Sequence, residues 1–237
     1  MGRPQSPKIS VPHDNALRDD AIITPLMRGG ELALLLAAER LFAENGISGV
    51  SLRQVVQAAG QKNMSAAHYH FGSRDGLLQA VLSLRMSSIN IYRSELLARA
   101  SAVPGGPDLR FYLEAFVLPL AEQLKPRLEG NYCLRFLEQY RHLPTDYQLL
   151  VQLEPSAFEM GKNIKRLLGY LPPRIVEMRL KNSWSMIVAA LAAVEDQMTA
   201  GALDQQELTL TAADLIDSMT GAMSAPLSPR TLTYLPS

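Results

Sequence analysis

The chain has 237 residues, enough for one small domain and one larger one, each with a buried core. Its formal net charge is zero, which excludes a non-specific polycationic coat for nucleic acid but not a local site. The single cysteine, Cys133, excludes an intrachain disulfide, no apolar run is long enough to cross a bilayer, and the polar N-terminus lacks a signal-peptide core. The expectation is a cytoplasmic protein in a reducing compartment.

Residues 1–28 hold Pro4, Pro7, Pro12 and Pro25 and no apolar period, so they read as a disordered arm. A helical pattern starts at Glu31, with Leu32, Leu35, Leu36, Leu41 and Phe42, and stops at Asn45-Gly46. Ser51 and Gln54 have capping-box spacing and open a second helix, whose stripe is Leu52, Val55 and Val56 and whose end is Gly60. A polar turn, Gln61-Lys62-Asn63, leads to a third helix over 65–71. Gly72-Ser73 breaks it, and Ser73 can cap a long fourth helix from Arg74 to about Ala100. Beyond the loop Val103–Pro107 every segment still reads as helix. These are Phe111 to Leu124 with Pro119 inside, Asn131 to Arg141, Thr145 to Leu168 interrupted at Pro155, Pro173 to Thr199, and Leu203 to Gly221. The tail 226–237 holds three prolines and reads as flexible. No repeat and no alternating strand pattern is found, so the fold class is all-α.

The informative unit is Glu31 to Leu78. Two short helices joined by a tight turn form a helix-turn-helix, whose second helix fits the DNA major groove. Between Asn45 and Asp75 there is no acidic residue, while Arg53, Lys62, Arg74, His68 and His70 all occur there. Small residues at the start of the third helix, Ser65 and Ala66, allow close approach of a backbone to DNA. His68, Tyr69 and His70 offer tips that bond phosphates or base edges.

The runs Ala37–Gly46, Ser51–Gly60 and His68–Leu78 resemble, in order and spacing, those of the TetR/AcrR transcription regulators. The resemblance implies an N-terminal three-helix DNA-binding domain over 29–73, and a larger helical effector-binding and dimerisation domain over 74–225. It implies DNA contacts at Ser51, Arg53, Ser65, Ala66, Tyr69, His70 and Arg74, to which Lys62 and His68 are added from their charge and place. It also implies a homodimer through the last two long helices, double-stranded operator DNA as partner, and repression relieved by a small-molecule effector. Two features depart from the family pattern: the turn Gln61–Met64 is longer than usual, and His68 stands where Tyr is common.

Each residue also has a plainer reading. Ser51 serves as a cap whether or not it meets a phosphate. Tyr69 is either a core residue or a DNA contact. His68 and His70 lie two apart on a helix and so face different ways, which disfavours a metal pair. Cys133 on an apolar face reads as packing. Phe116, Tyr132, Arg135, Phe136, Tyr140 and Trp184 are candidates for the effector pocket, with core packing the alternative for the aromatics and a solvated face for Arg135. The aliphatic, Met-rich C-terminal helices suit a hydrophobic effector. No cofactor motif, metal-ligand set or nucleophile–base pair is found, so an enzyme is the lesser alternative, as is a helical protein-interaction module.

Overall fold

The computed structural model describes residues 29–62, 64–125, 130–144 and 147–235; the arm read over 1–28 lies outside them. Among the described residues there are α-helices and 3-10 turns and no strand. The helices are α1 (Gly29–Asn45), α2 (Leu52–Ala58), α3 (Met64–Phe71), α4 (Arg74–Leu97), α5 (Leu109–Glu122) and α6 (Cys133–Tyr140). They continue as α7 (Tyr147–Leu153), α8 (Pro155–Leu167), α9 (Pro173–Thr199), α10 (Gln205–Ser224) and the short α11 (Pro229–Leu232). The stretch read as interrupted at Pro155 divides there into α7 and α8, with Pro155 opening α8 at its first position. The three-proline tail contains α11, capped by the Ser228 hydroxyl on the Thr231 amide.

Local chemistry sets the element boundaries near the N-terminus. Ser51 and Gln54 form the capping box expected from their spacing: the Gln54 amide donates to Ser51 Oγ and the Ser51 amide donates to Gln54 Oε1. Ser73 caps α4 by accepting from the Gly76 amide at 3.0 Å. Gly76 is required there, since a Cβ at this position would collide with the carbonyl oxygen of Phe71. Asp108 and Asp204 cap α5 and α10 in the same way.

A single apolar core runs from Leu34 to Met223 and does not stop at the junction of α3 and α4. α4 carries its face Leu77, Leu78, Val81, Leu82, Ile89 and Leu96 through the whole of it. α1 packs on α2 and α4 and also on α6, where the rings of Phe42 and Phe136 stack with centroids 6.2 Å apart. α5 packs on α4 and α10, and α9 packs on α6 and α10. Burial of side chains such as Phe42, Leu77 and Phe136 contributes roughly 1.5–3 kcal/mol each.

Charges are also buried in this core. Arg85 of α4 donates to both carboxylate oxygens of Glu39 of α1, from Nε at 2.6 Å and from an Nη at 2.5 Å. Both side chains are almost wholly removed from water. Burial alone would pull the Arg85 guanidinium down, but the charge and hydrogen bond of Glu39 outweigh it and hold the group above its ordinary value. A second carboxylate, Glu195 of α9, is fully buried and accepts from the backbone amides of Leu134 and Arg135 at 3.1 and 3.0 Å. It thereby satisfies the free N–H groups at the start of α6, whose own N-cap side chain makes no capping bond.

Removal of one partner of a buried pair strands the other charge. Glu39→Ala is therefore expected to lower unfolding free energy by about 3–5 kcal/mol. The double change Glu39→Leu/Arg85→Met should restore wild-type stability or exceed it. Urea titration of the wild type and the two variants checks this; equal losses in the single and double variants would mean that the ion pair itself, not its charge balance, holds α1 on α4.

Candidate nucleic-acid interface

Helices α2 and α3 present two different surfaces. Leu52, Val55 and Val56 of α2 and Ala67 of α3 are buried against the scaffold. On the outer face of α3, Ser65, His68 and Tyr69 are exposed, at the i, i+3, i+4 spacing that makes neighbours on a helix. Tyr69 is 84% exposed, the most solvent-facing large apolar side chain of the described residues, so it is not a core residue. Ala66 lies on the same helix. Ser51, Arg53 and Lys62 are exposed beside them, on α2 or at its ends. Six of the predicted DNA-facing residues, Ser51, Arg53, Lys62, Ser65, His68 and Tyr69, are thus open to solvent.

Two predicted contacts are placed differently. His70 is partly buried and turned toward α1, its Nδ1 lying 3.8 Å from the Glu31 carboxylate and its ring edge-on to Tyr69. Arg74 points back into the domain. Its Nε donates to the Val50 carbonyl at 2.7 Å, another nitrogen donates to the Ile47 carbonyl, and the guanidinium lies 6.0 Å from the Phe42 ring centroid. The expectation of a free phosphate-binding arginine therefore meets a side chain already committed to the loop between α1 and α2. Arginine suits this role because its planar fork reaches two carbonyls at once. His68 bonds locally, Nδ1 to the Gly72 carbonyl at 3.1 Å, which closes α3.

The six candidates for an effector pocket have different immediate neighbours. Phe136 and Tyr140 lie with Phe42, at the contact between α6 and α1. Arg135 is bonded to Glu195 and Asn131, paired with Asp196, and stacked on Tyr132 at 5.0 Å, so its charge is already balanced. Phe116 and Trp184 pack edge to face, centroids 5.0 Å apart, between α5 and α9. There they meet a residue that the sequence reading passed over, Arg93 of α4, whose guanidinium lies 5.2 Å from the Phe116 ring centroid. Arg85, Arg93, Glu39 and Glu195 all sit at core-register positions of apolar helical stripes, and that misfit of charge and register was the available signal.

Comparison with known proteins bears on this arrangement. Residues 34–81 match the family described as bacterial regulatory proteins, tetR family. The fold is similar to that of a TetR family transcription regulator from Marinobacter aquaeolei VT8, with TM-score 0.54 and 17% identity over 85% of this chain and 97% of that one. It is also similar to that of a tetR family transcription regulator from Shewanella sp. PV-4, with TM-score 0.52 and 18% identity over 81% and 98% of the two chains. No curated protein matches the chain at a significant level. Among the described residues no helix is long and apolar enough to cross a membrane.

Two roles of Arg74 separate by salt. As a positioning residue, its replacement in Arg74→Ala should cost about 1–3 kcal/mol of stability and weaken DNA binding without changing the slope of log affinity against log salt. A side chain lost from a phosphate would instead flatten that slope by about 0.9. Binding isotherms at several salt concentrations decide between them.

Proposed function

We propose that this chain, which carries the DNA-binding domain of the tetR family of bacterial regulatory proteins and shares the fold of those regulators, is a repressor that binds a palindromic operator as a homodimer and leaves it when a small molecule binds the C-terminal helices. The observation that carries the reading is the outward face of α3. A helix with a buried back, a polar front and an exposed Tyr69 is built to enter a groove rather than to fill a core. Ser65, His68 and Tyr69 face the base edges; Ser51, Arg53 and Lys62 stand where the phosphates on either side of the groove would pass. His70 and Arg74 hold α3 and the α1–α2 loop in place, and touch DNA only through what they position.

The dimer is assigned to α9 and α10. These helices leave Met178, Met186 and Leu210 exposed, along with the small residues Ala193, Ala213 and Gly221. Apolar and small exposed residues on two long packed helices suit association with a second copy. In the DNA-bound dimer the two α3 helices would stand one helical turn apart, roughly 34–36 Å. α4 joins this spacing to the effector domain as one continuous helix, so a tilt of α4 changes the spacing directly. An effector drives that tilt only by its differential affinity for the two arrangements.

Footprinting on the DNA flanking the gene, at rising salt, tests the reading. A protected palindrome that fades with salt is expected for wild type, and Tyr69→Ala should lose protection while keeping its melting temperature and its dimer. Protection that survives in Tyr69→Ala would remove this residue from the interface. For the dimer, Met186→Arg should shift sedimentation from dimer toward monomer and weaken operator binding in parallel. An unchanged dimer would place the interface on other helices.

A further inference from the structure

The two buried arginines of the described chain differ in one respect. Arg85 has its carboxylate in direct hydrogen-bond contact. Arg93, 0% exposed, has no hydrogen-bond partner on Nε or on either Nη. A guanidinium carries five N–H donors, and leaving them unmet in a buried place is costly. The nearest carboxylate, Glu154 at the junction of α7 and α8, lies 3.9 Å away, an ion pair but not a hydrogen bond. Burial draws the Arg93 guanidinium down to about 10, with Glu154 opposing, so it stays charged at neutral pH.

The surroundings are those of a recognition site for an acid with an apolar body. Phe116 of α5 presents its ring to the guanidinium, and Trp184 of α9, half-buried, packs edge-on to that ring. Glu154 is held in place from α4 itself: one turn before Arg93, the Asn90 amide donates to the Leu153 carbonyl and its oxygen accepts from the buried Ser156 hydroxyl at 2.5 Å. Glu154 thus balances the charge without using the donors. Three elements of the C-terminal region, α4, α5 and the α7–α8 junction, meet at one buried cation whose N–H donors have no hydrogen-bond partner, and α9 adds Trp184 against the Phe116 ring.

We infer that Arg93 is the anchor of the effector site, and that the effector is a monocarboxylate with an apolar tail: its carboxylate takes the Arg93 fork and its tail lies against Phe116 and Trp184. Bidentate pairing of a planar guanidinium with a carboxylate fits this geometry better than any single-donor contact. The site rests on the regulator reading above for its consequence but not for its chemistry. Arg93 stands eight residues beyond Arg85 on α4, about 12 Å along the helix axis. Ligand drawn onto Arg93 therefore acts on the same helix that is fastened to α1 through Glu39.

The test uses the full-length protein without DNA. Octanoate and hydrocinnamate are compared with octanamide and hydrocinnamamide by calorimetry and thermal shift, in wild type, Arg93→Lys and Arg93→Met/Glu154→Gln. The carboxylates are expected to bind wild type roughly 10- to 100-fold more tightly than the amides. They should lose that preference in Arg93→Met/Glu154→Gln and keep part of it in Arg93→Lys. Because the double variant removes a poorly satisfied buried pair, it should melt no lower than wild type. Equal binding of acid and amide, no binding of either acid to wild type, or a double variant that keeps the acid preference would each overturn the proposal. A double variant that melts well below wild type and still prefers acids would make Arg93 a structural group, its donors met by buried water. Operator protection is measured separately. Protection without acid binding sinks this inference alone, and acid binding without protection sinks the regulator reading alone.

Discussion

The ion pair between Glu39 and Arg85 is the constraint on which the arrangement of the N-terminal helices depends. Both groups are out of water and both oxygens and two nitrogens are used. Apolar packing of α1 on α4 tolerates small slides and rotations, whereas a buried bidentate pair has one good geometry. α3 packs on α1, α2 and α4, so this contact fastens together two of the helices on which α3 is seated. Arg74 adds a second fastening at the start of α4, holding the α1–α2 loop by its carbonyls.

α4 is the element that both halves of the molecule share. Three arginines along it have three different surroundings. Arg74 bonds backbone carbonyls at the edge of the helix-turn-helix, Arg85 pairs inside the core with α1, and Arg93 lies buried among the C-terminal helices with no hydrogen-bond partner on its donors. A second structural link runs beside this one. Glu195 of α9 caps the start of α6, and Phe136 of α6 stacks on Phe42 of α1. Burial pushes the Glu195 carboxyl above its ordinary value, and the amide and side chain of Arg135 and the amide of Leu134 work against that shift. α1 is thereby held from two sides, by α4 directly and by α9 through α6.

Arg135 and Arg93 differ in the company that each finds in the fold. Both lie on helices with apolar faces, and Arg135 stands among four aromatic or apolar neighbours in sequence. In space Arg135 meets Glu195, Asp196 and Asn131 and is spent on them, while Arg93 meets an aromatic ring and a carboxylate too distant to share a proton. Charge alone did not separate them; the partners did, and the partners come from helices far away along the chain.

Local signals in the sequence determined the elements of this protein. The Ser51 and Ser73 caps, the Gly breaks at Gly46, Gly60 and Gly72, and the 3.6-residue stripes act over a few residues, so they were readable without the fold. For Tyr69 the sequence left core and DNA contact both open, and its exposure in the fold removes the first. What only the tertiary structure decided was the company that each charge keeps. Glu39 and Arg85 are 46 positions apart, Glu195 and Leu134 are 61 apart, and no periodicity in either segment names the other. Arg74 looked like a surface cation because its own neighbours are polar, and it turned inward because the carbonyls of Ile47 and Val50, freed by the turn between α1 and α2, needed a donor. Secondary structure follows from short-range hydrogen bonding and burial patterns, whereas pairing of buried charges follows from which helices the core brings together.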